Sequence, residues 1–145
     1  MSVLDKFLTY VSYETTAKEE RDDGPSNDLM FHLAQHVLLE LQQLHPDEIS
    51  INQFGIVDAK FYGKSDKDMV AFIAHMDTAP ACSGKDVKPR VVDYDGKDVE
   101  LQEGMYLSEK EFPMLAWSRG HKIIVTDGNT LLGGDDKAGM AIIME

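Results

Sequence analysis

The chain is short of basic residues, cysteine and long apolar runs, and each shortage narrows what it can be. Lys and Arg number 14 against 26 Asp and Glu, for a formal net charge of -12 over 145 residues. The acidic excess is spread over both halves, so it is not a detachable tail. Such a surface repels phosphates and sets nucleic acid aside as a partner. One cysteine, Cys82, excludes an intrachain disulfide framework and fits a reducing compartment such as a cytoplasm. No run approaches 18 consecutive apolar residues, so no membrane-spanning helix is expected. The opening Met-Ser-Val-Leu-Asp-Lys lacks the basic and then apolar order of a signal peptide. What remains is ample for a core: 43% apolar residues, in a chain the size of one ordinary domain.

Hydrophobic spacing divides the chain. Val3, Leu4, Phe7, Leu8 and Val11 share one helical face, and Ser2 with Asp5 forms a capping box. The acidic stretch 15–25 reads as a solvated loop. Pro25-Ser26-Asn27 opens a longer helix to about Leu44, with Leu29, Leu33, Val37, Leu41 and Leu44 on its apolar face. His45-Pro46 ends it. Residues 48–54 and 56–62 alternate about Gly55 and predict a hairpin, and 63–68 reads as a turn. Residues 69–74, Met-Val-Ala-Phe-Ile-Ala, are continuously apolar, as in a strand buried on both faces.

The stretch 78–111 is rich in Gly, Pro and Asp, with a short strand expected at Val91-Val92. A helical turn is expected over 112–117, strands over 122–126 and 130–132, and a terminal helix after 133–137. The chain closes on the apolar, helix-favouring 138–145, which predicts a helix that continues and a chain that is a piece of a longer protein. The order of elements indicates an α/β fold with a mixed sheet flanked by helices.

Chemistry concentrates at two places. His75 and Asp77 follow the apolar run 69–74, and α/β sheets carry functional groups at such strand ends. A metal can take one imidazole nitrogen while a carboxylate fixes the other. The pair alone is weak evidence: five His and 16 Asp yield about half a His-x-Asp by chance in such a chain. Asp135 and Asp136 follow Gly133-Gly134 at a helix start. The helix dipole is sufficient reason for acids there, and a hard divalent cation is the functional alternative. Together, a His and carboxylates without cysteine match a catalytic zinc site better than a structural one.

The competing motifs are poorer. His32 and His36 stand at i, i+4, but no acid lies where HExxH requires it, so they read as a polar helix shoulder. Residues 128–133 begin like a phosphate loop, yet Gly134-Asp135 stands in place of Lys-Ser/Thr. Val125 occupies the nucleophile position of an aspartyl phosphatase strand ending in Thr126-Asp127. Cys82 sits in a small-residue turn and reads as a plain turn residue rather than a nucleophile.

These motifs carry a resemblance. Residues 74–78 (Ala-His-Met-Asp-Thr), 82–85 (Cys-Ser-Gly-Lys) with Pro89, 112–115 (Phe-Pro-Met-Leu), 126–128 (Thr-Asp-Gly) and 130–139 (Thr-Leu-Leu-Gly-Gly-Asp-Asp-Lys-Ala-Gly) resemble a family of dinuclear zinc peptidases. That family includes carboxypeptidase G2 and the succinyl-diaminopimelate desuccinylase, and the likeness is to its tripeptide aminopeptidases. It spans essentially the whole chain, including 7–12 and Pro25-Ser26. The departures are Met76, Ala79 and Gly134, none of them an expected ligand.

By the resemblance, the chain is the N-terminal part of a zinc-peptidase catalytic domain. It implies two zinc ions per complete site, with His75 a ligand to one and Asp135 bridging both. Asp77 is the implied catalytic carboxylate that orients His75, and Asp136 stands one layer further out. A cis peptide between Asp135 and Asp136 is implied as well. The general base, the remaining ligands and a lid or dimerisation domain would lie beyond residue 145, leaving the piece itself inactive. Short peptides are the implied substrates, a homodimer through the absent domain the implied assembly, and a bacterial cytoplasm the implied location. A non-catalytic binding or assembly module of the same fold, and an acyl-amino-acid deacylase, are the alternatives.

Overall fold

A computed structural model describes residues 1–18, 27–64 and 68–145. The acidic segment 19–24, the Pro25-Ser26 start expected for the second helix, and residues 65–67 of the turn expected at 63–68 lie outside the described residues.

Helix α1 (Val3–Val11) starts where the capping box predicts: Asp5 N–H donates to the Ser2 hydroxyl, and Ser2 N–H donates to the Asp5 carboxylate at 2.9 Å. Its buried face is Phe7, Tyr10 and Val11. Tyr10 is fully buried because its hydroxyl donates to Glu40, which satisfies the polar end of an otherwise apolar body. Helix α2 (Met30–Gln43) begins later than expected. Asn27 Oδ1 accepts from Leu29 N–H at 3.1 Å, and Asn27 and Asp28 carbonyls accept from Met30 and Phe31, so a turn occupies the approach. Leu33, Ala34 and Val37 of α2 are buried, while Leu44 stays exposed.

Strands β1 (Glu48–Ile51) and β2 (Val57–Lys60) form the expected antiparallel hairpin, with Glu48 opposite Lys60 and Ile51 opposite Val57. Asn52 Oδ1 accepts from Phe54 and Ile56 N–H, and Gly55 takes φ +80°, a left-handed turn that glycine makes without strain.

Strand β3 (Arg90–Asp93) contains the expected Val91-Val92 strand. Strands β4 (Val99–Gln102) and β5 (Met105–Leu107) form a hairpin that composition had concealed. A 3₁₀ helix (Pro113–Ser118) stands at the expected helical turn. Strand β6 (Lys122–Val125) pairs antiparallel with β3. Helix α3 (Gly134–Ile143) follows.

The fold is α/β, but the described residues do not form the expected mixed sheet. The described strands make three two-stranded antiparallel ladders, and the parallel contact present is a single bridge between Thr16 and Thr78. Residues 69–74 lie outside any strand or helix, and Met69, Val70, Phe72 and Ile73 are 74–89% exposed. A run apolar on both faces needs neighbours on both edges, and no described strand pairs with it. The expected strand at 130–132 is likewise absent; Leu131 N–H bonds Ser83 O, a loop contact and no ladder.

The main core joins all three helices: Phe7, Tyr10 and Val11 meet Leu33 and Val37, and Met140, Ala141 and Met144 of α3 close it. Ala74 and Met76 pack against this cluster, which brings the chain around His75 to the edge of α3. A second, smaller core of Tyr94, Val99 and Val125 holds the β3–β6 lobe. There Tyr94 and Arg119 both donate to Glu109, at 2.9 and 2.7 Å. No described helix is long and apolar enough to cross a membrane.

Candidate active site

The site is two chain segments brought face to face. Residues 75–78 leave the apolar run and are pinned by the Thr16–Thr78 bridge: Thr78 N–H donates to Thr15 O at 3.0 Å and Ala17 N–H to Thr78 O at 2.9 Å. Residues 133–137 form the start of α3. Gly133 adopts φ +77°, where a side chain would be strained and its Cβ would stand 3.2 Å from Thr78 Cγ2. Asp135 and Asp136 have non-helical backbone, and regular helix begins at Lys137. The peptide between Asp135 and Asp136 is cis, as the resemblance implies.

This brings together three of the residues singled out in the sequence. His75 Nε2 stands 3.1 Å from Asp135 Oδ1. His75 Nδ1 stands 3.0 Å from the carbonyl of Asp77 and 3.3 Å from its Oδ1. Asp77 therefore grips one ring nitrogen while the other faces Asp135. The Asp135 carboxylate is 95% exposed and the His75 ring about half exposed, so both are open to a ligand from solvent. The Asp136 carboxylate instead folds over the first turn of α3, where a Cβ on Gly139 would meet it at 2.2 Å.

Desolvation pulls the His75 imidazolium down. The Asp77 carbonyl, the Asp135 side chain and the charge of both aspartates outweigh it and hold its pKa above the ordinary 6.5. Protonated His75 is thus favoured by the folded chain. Its contribution to stability is complete below the ordinary histidine value and is lost as pH rises through the raised folded value. An NMR titration of the His75 ring is expected to show a midpoint above the ordinary value, and D135N should move it downward. A midpoint unchanged by D135N would show that the two side chains do not interact in solution.

The donors fit part of a zinc shell. An imidazole nitrogen and a carboxylate oxygen 3.1 Å apart can share one ion at about 2.0–2.2 Å each. Asp77 on Nδ1 supplies the outer carboxylate that metal-bound histidines commonly keep. Among the described residues no set of three or more His, Cys, Asp or Glu gathers as a metal site, so the shell is partial.

The competitors fall away from the site. His32 is exposed on α2. His36 packs between Tyr10 and Tyr13, with the Tyr13 hydroxyl 3.1 Å from its Nδ1 and Glu40 3.7 Å from its Nε2. Burial and then the Glu40 carboxylate push the Tyr10 hydroxyl far above its usual range. Cys82 is exposed, its thiol 3.7 Å from Asn129 O.

Sequence reasoning missed Lys137. It is 2% exposed, its Nζ donates to Tyr13 O at 2.8 Å, and burial lowers its pKa to about 8. Its place in the Asp-Asp-Lys triplet was the available signal. Nothing in the sequence marked Tyr13 as its acceptor.

An α/β chain that presents an imidazole and a carboxylate to one point, with a second carboxylate behind the imidazole, has part of the donor set that a metal-dependent hydrolase would need. No protein-family model matches the chain. It is similar to Peptidase T of Caldanaerobacter subterraneus subsp. tengcongensis, 43% identical over 147 residues, and of a Geobacillus species, 42% identical over 147. Peptidase T of Parabacteroides distasonis is 42% identical over 148 residues. These alignments take in 98–99% of this chain and 36% of each relative. The similarity to these relatives thus runs along essentially the whole of this chain, which spans about 36% of their length.

Proposed function

We propose that this chain forms part of the catalytic domain of a zinc-dependent aminopeptidase that releases the N-terminal residue from short peptides, tripeptides among them, in a cytoplasm. The observation that carries the reading is the approach of His75 Nε2 to Asp135 Oδ1, inside a block similar to peptidase T.

His75 and Asp135 would be among the residues that hold zinc. Bound zinc would polarise the scissile carbonyl and lower the pKa of water. The chain's own residues prepare for this. Asp77 accepts the Nδ1 proton of His75, which leaves Nε2 as the ligating nitrogen and aims the ring. The turn at 133–136 projects Asp135 outward, where it is the most exposed member of the group. The rest of the ligand shell and a general base would come from further polypeptide, together with any domain that pairs two copies.

The test is a chimera in which residues 1–145 replace the matching segment of one of these relatives. It is expected to hydrolyse unmodified tripeptides, to lose activity to a chelator and to regain it with zinc. A folded chimera that cleaves no tripeptide overturns the reading. Cleavage of acylated amino acids in their place would identify a deacylase. The 145-residue chain alone is expected to hydrolyse neither.

A further inference from the structure

Both halves of the site hang from one short stretch of backbone, 13–17. Thr15 O and Ala17 N hold Thr78, one residue beyond Asp77. Tyr13 O holds Lys137, two residues beyond Asp135. The Lys137 stem also passes back beneath the turn it follows: a Cβ on Gly133 would lie 3.5 Å from Lys137 Cδ and 3.7 Å from its Nζ. Thr78 Cγ2 presses the same point at 3.2 Å, so Gly133 is held between the two segments.

A lysine is an expensive choice for this position. Its ammonium is taken out of water at the first regular turn of a helix, the end of the macrodipole that disfavours a cation. An apolar side chain of equal length would fill the space at lower cost. What the amine adds is a directed bond to a carbonyl just past the end of α1.

We infer that Lys137 is a positioning residue: its bond to Tyr13 O fixes the turn carrying Asp135 to the same stretch that carries His75 and Asp77, and so sets Asp135 opposite His75. Its consequence for catalysis rests on the zinc-peptidase reading, whereas the contact itself does not. The test therefore uses the 145-residue chain without metal. The ring ¹⁵N resonances of His75 are recorded at one fixed pH in the parent and in D135N, which gives the signature of the lost contact. K137M keeps the stem and removes the donor.

The expected result is that K137M unfolds within a few degrees of the parent while its His75 resonances move most of the way to those of D135N. K137R, which keeps a charged donor of similar volume, should stay with the parent. Parent-like His75 resonances in K137M would overturn the inference. So would a displacement in folded K137R equal to that in K137M. If K137M fails to fold, K137Q, one atom too short for the Tyr13 carbonyl, decides by the same comparison. Failure of the chimera to cleave peptides leaves this result standing, so the two conclusions can fall separately.

Discussion

Asp135→Asn in the active chimera is expected to lower tripeptide hydrolysis by about a thousandfold or more. A metal's stabilisation of developing charge amounts to several kcal/mol, and about 1.4 kcal/mol is a factor of ten in rate. His75→Ala should cost as much, because His75 and Asp135 face the same point at 3.1 Å. Asp77→Ala should cost less, about 10–100-fold, since Asp77 contacts the imidazole and would act on a bound zinc only through it. The losses in the His75 and Asp135 variants should appear together with reduced zinc content, measured on the same preparations. If D135N kept both its zinc and its rate, Asp135 would have no part in the site.

Leu33→Ala should cost about 3 kcal/mol of folding stability, read from urea unfolding of the 145-residue chain. Leu33 is fully buried where α1, α2 and α3 meet. Truncation there loses transfer energy and leaves a cavity, which together cost roughly 2–5 kcal/mol. Against a typical total of about 5–15 kcal/mol, that is a large share. Leu39, 59% exposed on the same helix, is the control. Its alanine variant should fall within about 0.5 kcal/mol of the parent. Equal losses in both would mean that the three-helix core does not form in solution.

The parts of the fold legible in the sequence are those set by neighbours along the chain. The Ser2–Asp5 box fixed where α1 begins, and alternation about Gly55 located the first hairpin. The unread parts depend on partners distant in sequence. Residues 69–74 carry a buried strand's composition, but composition is satisfied only by neighbours, and here Met69, Val70, Phe72 and Ile73 stand exposed. Strands β4 and β5 were hidden among Gly, Asp and Lys because their short alternation, Val99 with Leu101 and Met105 with Leu107, is half masked by charge. The site divides in the same way. His75, Asp77 and Asp135 stood out by residue type and adjacency, and 60 residues of sequence separation did not hide the pair. Lys137 did not stand out: its partner is a backbone carbonyl 124 residues away, which no side-chain pattern encodes.

The bare stretch 69–74 has a colloidal consequence. Backbone outside any ladder, carrying large exposed apolar side chains, is a segment on which a second chain can pair as a strand. The net charge of -12 acts against that event, because two copies must approach through a repulsive field before any ladder can start. That protection reaches only about 10 Å at 0.1 M salt and shortens further as ions are added. The acidity that argues against a nucleic-acid partner therefore also opposes self-association of the 145-residue chain through this stretch.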